Sequence, residues 1–269
     1  MLLKSVEAIV LLLLSSVIYA GDPLFSRFGA GEAAMAYSCV ASTECWSPFH
    51  NQASLAYNNT FAAGVSFESR FLMQDMSTRT IALVIPGRPA PLGIISSWYG
   101  NSQYSVISAG LGSAVILTDG LSLGVQADII TEHSAGRYKD LVHVTFETGV
   151  LARITPNLMF GAHVFNPLSG LNSLQSSLQS GITWTPDRSL RLAVEAVKST
   201  DEPLSLHTGM AWIIPKAVTL RAGYSSAPSS FAFGIGFTTG RVTADTGFVY
   251  NTETGMTPSV SLLWRPGKR

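Results

Sequence analysis

From Leu121 to Ile129 every odd position is apolar, whereas the even positions are Ser122, Gly124, Gln126 and Asp128. The same split sets Val218, Leu220, Ala222 and Tyr224 against Thr219, Arg221 and Gly223. It returns where Val242, Ala244, Phe248 and Tyr250 alternate with Arg241, Thr243, Asp245 and Gly247. Successive side chains of a β-strand point to opposite faces, so each segment has one greasy face and one small or polar face. Turn signals divide the chain into about fourteen such segments, near 61–71, 77–86, 91–100, 103–116, 121–132, 142–154, 158–166, 177–186, 189–198, 203–214, 217–225, 230–239, 241–250 and 256–265. Connections after even-numbered strands are tight, as in Thr118-Asp119-Gly120 and Thr239-Gly240. Those after odd-numbered strands are mostly longer and polar, as in Glu132 to Asp140, Asn166 to Ser176 and Ser225 to Ser229. An even strand count with alternating short and long connections is the pattern of a transmembrane barrel.

A soluble β-sandwich also alternates, but its outer face is charged. Here only 13% of residues are charged, against the roughly 25% usual for soluble domains, and the polar face is mostly Gly, Ser, Ala, Thr and Gln. Aromatic residues fall near strand ends on the apolar face: Trp184, Trp212 and Trp264 by the tight turns, and Trp98, Tyr224 and Tyr250 toward the longer loops. That placement suggests two interfacial girdles. The expected fold is therefore all-β, an antiparallel transmembrane barrel of about 14 strands over 60–269. With 17 basic against 17 acidic residues the chain lacks the basic surplus of a nucleic-acid partner. Its expected surroundings are outer-membrane lipid.

Residues 1–20 carry Lys4, an apolar run from Ile9 to Leu14 and Ala20 before Gly21, the form of a cleaved signal peptide. The stretch 21–59 lacks alternation. It is small and Ala-rich from Gly29 to Ala41, yet Phe25, Phe28, Trp46, Phe49 and Leu55 are too apolar for a disordered tail. A barrel of fourteen strands is wider than its own side chains fill, so this segment is expected to plug the lumen. Cys39 and Cys45 lie within it and are read either as a disulfide or as two buried thiols.

The stretch ends in Asn51, Ala53, Leu55 and Ala56, with Gln52 and Ser54 between. This resembles the Asn-Pro-Ala-Gly-Leu-Ala motif that precedes the first strand in FadL-like outer-membrane proteins of the PorV/PorQ type, found in Bacteroidetes-like bacteria. Gln52 and Ser54 replace the Pro and Gly. The resemblance implies a fourteen-stranded barrel with a lumenal N-terminal hatch, and a channel for small hydrophobic molecules. The alternative it implies is a non-transporting adaptor or structural barrel whose partners are type IX secretion-system proteins.

Strand phase puts Glu68, Arg70, Asp128, His143, Glu147, Arg191, Glu195, His207, Arg221, Arg241 and Asp245 on the lumen side. A charge on the lipid face costs about 2–4 kcal/mol at mid-membrane, so these residues are expected to form lumen ion pairs, with a polar conduit or ligand site as the sharper alternative. The histidines are scattered and none lies beside a Gly-x-Ser-x-Gly element; no phosphate loop or zinc-ligand spacing occurs. No catalytic residue, cofactor or metal is expected.

Overall fold

The computed structural model describes residues 28–44, 46–136, 139–169, 174–214 and 217–266. The expected signal peptide 1–20, the start of the 21–59 segment and Cys45 lie outside these described residues. So does the pairing of Cys45 with Cys39.

The alternating segments form fourteen antiparallel strands: β1 (Ala62–Ser69), β2 (Ser77–Ile85), β3 (Leu92–Gly100), β4 (Tyr104–Thr118), β5 (Leu121–Ser134), β6 (Leu141–Thr155), β7 (Leu158–Phe165), β8 (Ser177–Trp184), β9 (Leu190–Ser199), β10 (Ser205–Ile214), β11 (Val218–Ser226), β12 (Ser229–Thr239), β13 (Val242–Asn251) and β14 (Gly255–Trp264). Each strand pairs with its neighbours in sequence, and β1 also pairs with β14, placing Val65 opposite Leu262 and closing the barrel. Closure leaves no sheet edge with unpaired backbone groups, which a hydrocarbon environment could not satisfy.

Strand phase separates the two faces residue by residue. In β9, Val194 is 48% exposed while its chain neighbour Glu195 is 2% exposed, the inverse of a soluble protein. Ile81, Leu111, Val125, Ile129 and Leu262 continue the exposed apolar belt, whereas Ser122, Gln126 and Asp128 are buried inside. Trp98, Trp184, Trp212 and Trp264 are exposed on the outer wall. Two charges on the described strands break the phase, Lys198 near the end of β9 and Arg79. Arg79 faces outward near the start of β2, its guanidinium 4.6 Å from the Trp98 ring and 5.9 Å from that of Phe67. Stacking on aromatic rings near the strand end lets this cation sit at an interfacial level.

The contrast between the two barrel ends is smaller than the sequence suggests. Tight turns at 119–120, 156–157 and 240–241 mark one end, and the longer connections 70–76, 135–140 and 166–176 mark the other. At that second end, however, β11 and β12 run on until Ser226 pairs with Ser229, leaving only 227–228 as the link, and β3 joins β4 through 101–103.

Residues 28–58 pass through the barrel interior. A single helical turn, Ala30–Ala33, lies against β12, β13 and β14, and the 3-10 helix Gln52–Tyr57 lies against β4, β5 and β6 on the far side of the ring. Between them Met35 packs on Ala193 of β9 and Ala211 of β10. Trp46, Phe49 and Leu55 form an apolar cluster with Ala82, Val84 and Ile95 of the wall. The small residues of the inner wall let backbone approach backbone. A Cβ at Gly124 of β5 would stand 2.3 Å from the Ala53 nitrogen, and one at Gly223 of β11 would stand 2.4 Å from the Met35 carbonyl carbon.

Candidate functional site

The inner segment meets the wall through polar groups aimed at its backbone. Glu195, inward on β9, accepts the N–H groups of both Cys39 and Val40 at 2.9 Å. Ser122 of β5 donates to the Ala53 carbonyl at 3.0 Å. Asn51 caps the 3-10 helix by accepting the Ala53 N–H at 3.1 Å, and its amide donates to the carbonyls of Val40 and Val150. Leu55 is fully buried and Ala56 packs at the edge of the same apolar cluster. A segment this small in its side chains leaves backbone groups uncovered, so wall side chains supply the partners that buried N–H and C=O groups require.

The charged residues gather in three places. Near the helical turn, Arg191 meets Glu44 at 2.5 Å, Arg221 meets Asp245 at 2.6 Å, and Arg221 reaches Glu44 at 4.0 Å. Glu32 lies beside this group, and burial pushes its carboxyl up to about 8, a rise that Arg221 only partly offsets. Glu44 goes the other way. Burial would raise it, but Arg191 and Arg221 together outweigh burial and hold it below the ordinary carboxyl range.

On the opposite wall Glu147 is a hub. It accepts from Gln52 at 2.6 Å and from Gln126 at 3.3 Å, lies 2.8 Å from His163, and Gln126 in turn donates to Asp128 at 2.8 Å. Higher on the wall His143 pairs with Glu132 at 2.8 Å.

Within the lumen set read from strand phase, then, the structure pairs Arg221 with Asp245 and Glu68 with Arg70. It gives Asp128, His143, Glu147, Arg191, Glu195 and His207 partners from outside that set. Arg241 departs from it altogether: β13 begins at Val242, so Arg241 stands exposed in the β12–β13 turn, inward in phase but beyond the wall. Sequence phase alone would have found Gln126, Glu132 and His163, all at inward positions. Glu32, Glu44 and Gln52 lie in the segment without periodicity, where no pattern marks them. Among the described residues no group of three or more His, Cys, Asp or Glu side chains is arranged to hold a metal ion.

Above the inner segment, at the end with the longer connections, lies a cavity of about 260 Å³. Ala36, Tyr37 and His207 form its floor, and Phe71, Val197 and Val249 supply apolar wall. Glu68 is held at its edge by the Tyr37 hydroxyl at 2.6 Å and by Arg70 at 3.4 Å. A second cavity, of about 860 Å³, opens at the tight-turn end, lined by Ala56, Asn58, Pro86, Pro91, Ala114 and Ile116. The inner segment lies between the two.

No protein-family model matches the chain, and no curated protein matches it in sequence. Solved structures match it in fold. The CymD monoaromatic hydrocarbon channel superposes with a TM-score of 0.72 at 12% identity, over 89% of this chain and 98% of that one. The P. putida toluene transporter TodX gives 0.70 at 13% identity, over 90% and 99% of the two chains. A Pseudomonas aeruginosa FadL homologue gives 0.64 at 11% identity, over 90% and 99%. The closed fourteen-stranded barrel with a segment inside it thus has the FadL-like fold.

Proposed function

We propose that the protein is an outer-membrane channel for small hydrophobic molecules, with the 21–59 segment as its plug and the barrel over 60–269 as its wall. The observation that carries this reading is the pair of cavities at opposite ends of the lumen, separated by residues 28–58. A molecule entering at the longer-loop end reaches apolar side chains before it meets the plug, and release of the plug's polar contacts opens the way to the second cavity. The named functions of CymD and TodX, a monoaromatic hydrocarbon channel and a toluene transporter, support the substrate class. Short turns face the periplasm in bacterial barrels, which sets the 260 Å³ cavity at the cell surface. No catalytic step is part of this reading.

The PorV/PorQ-like alternative, an adaptor for secreted proteins, draws on the brevity of the connections 101–103 and 227–228, which leave little material for a substrate funnel. Deleting the gene separates the two. Channel function is expected to appear as slower uptake of small hydrophobic compounds with unchanged surface display of secreted proteins. Normal uptake with lost display contradicts it and favours the adaptor.

A further inference from the structure

Four consecutive strands bring a serine to the outer cavity: Ser199 at the end of β9, Ser205 at the start of β10, Ser225 in β11 and Ser230 in β12. All four are buried on the inner wall. Register sets Ser225 opposite Ser230 and Ser230 opposite Asn251, while Ser199 faces Ser177 of β8. The Ser205 and Ser225 hydroxyl oxygens are 3.1 Å apart, and Ser225 Oγ lies 3.4 Å from His207 Nε2. His207 Nδ1 is 2.5 Å from the Ala36 carbonyl oxygen. A carbonyl only accepts, so Nδ1 carries the proton, and in the neutral ring Nε2 accepts from Ser225. Ser205 also accepts the Ala227 N–H at 3.2 Å. The hydroxyl of Ser199 lines the cavity and has no hydrogen-bond partner among the described residues.

Of the charges at the cavity edge, Glu68 and Arg70 are engaged with each other. Glu68 is held by Tyr37 and Arg70, and an anionic ligand would face both Glu68 and Glu202. Val197, Val249 and Phe71 offer apolar surface beside the hydroxyls. A hydrocarbon filling this space strips water from hydroxyl groups and returns no hydrogen bond, whereas a hydroxyl on the same carbon frame both donates and accepts. Sites built to bond a ligand hydroxyl discriminate against the analogue that lacks it.

We propose that the outer cavity selects neutral molecules bearing a hydroxyl on a small apolar body, the alcohol or phenol class, over hydrocarbons of the same frame. This selectivity rests on the channel reading and narrows its substrate class.

The test is calorimetric titration of the full-length protein in nanodiscs with benzyl alcohol and with toluene. The Ser205→Ala/Ser225→Ala double variant and Ser199→Ala are titrated in parallel, each checked for barrel formation by heat-modifiable migration. Wild type is expected to bind benzyl alcohol about tenfold more tightly than toluene, the size of one net hydrogen bond. The double variant should lose that preference, and Ser199→Ala should reduce it. Equal or tighter toluene binding by wild type overturns the proposal, as does binding of neither ligand or a preference that survives the double substitution. Failure of the channel reading has a different signature: gene deletion leaves uptake of both compounds unchanged although the binding preference is present.

Discussion

Glu32 is a carboxyl held out of water, 7% exposed. It is buried beside Arg221, yet Arg221 is committed to Asp245 at 2.6 Å, so desolvation prevails and the carboxyl titrates at about 8 instead of 4.5. The folded state therefore holds this proton more tightly than the unfolded chain. The stability that follows is complete below about pH 4.5 and declines as pH rises toward 8. Glu44 has the opposite sign, since its lowered carboxyl contributes stability above the ordinary carboxyl range and loses it as pH falls below. Protease cleavage within residues 28–58 is accordingly expected to increase as pH climbs through 8, and Glu32→Gln should abolish that increase. An identical alkaline rise in the variant would show that another group controls it.

At residue scale the sequence shows the inward phase of Arg221 and Asp245 but not the partners that the inner segment brings. Strand phase assigns Asp128, Glu147 and Glu195 to a face, but a partner inside the lumen comes from a segment whose path no periodicity encodes. Gln52 on Glu147, Glu44 on Arg191, and the Cys39 and Val40 amides on Glu195 all belong to that segment.

Elements were far more legible, because lipid on one side enforces a period of two that sequence displays directly. The expected segment 121–132 is β5 at Leu121–Ser134, and 158–166 is β7 at Leu158–Phe165. Differences collect where pairing outlasts hydrophobicity. The connection after β11 was expected from Ser225 to Ser229, yet backbone pairing continues to Ser226 and Ser229, and serine says little about where a strand ends. The inner segment depends on the opposite kind of signal, small size. Gly124 exists as glycine because the 3-10 helix Gln52–Tyr57 rests on it. Gly124→Val is expected to destabilise that docking by about 1–3 kcal/mol or more, the usual size of an overpacked contact. Pulsed proteolysis should then cut near Glu44 while the barrel fragment stays intact; unchanged protection would mean that the wall yields instead.

For the whole molecule, low charge content and neutral balance follow from its surroundings. With 46% hydrophobic residues the chain spends its large apolar side chains outward, as at Val125, Ile129 and Leu262, and keeps small and polar ones within. The interior is thus filled by backbone, polar groups and the apolar cluster around Trp46 and Leu55, and the inner segment lies there with a cavity at each end. The proposed channel requires this barrel to lie in the outer membrane, and the roles of the plug and the cavities depend on that placement. Its most direct test is gel migration, with and without heating, of the protein recovered from fractionated cells. The barrel is expected in the outer-membrane fraction, migrating faster unheated than boiled because the closed sheet resists detergent. Recovery as a soluble periplasmic protein whose migration ignores heating would contradict it.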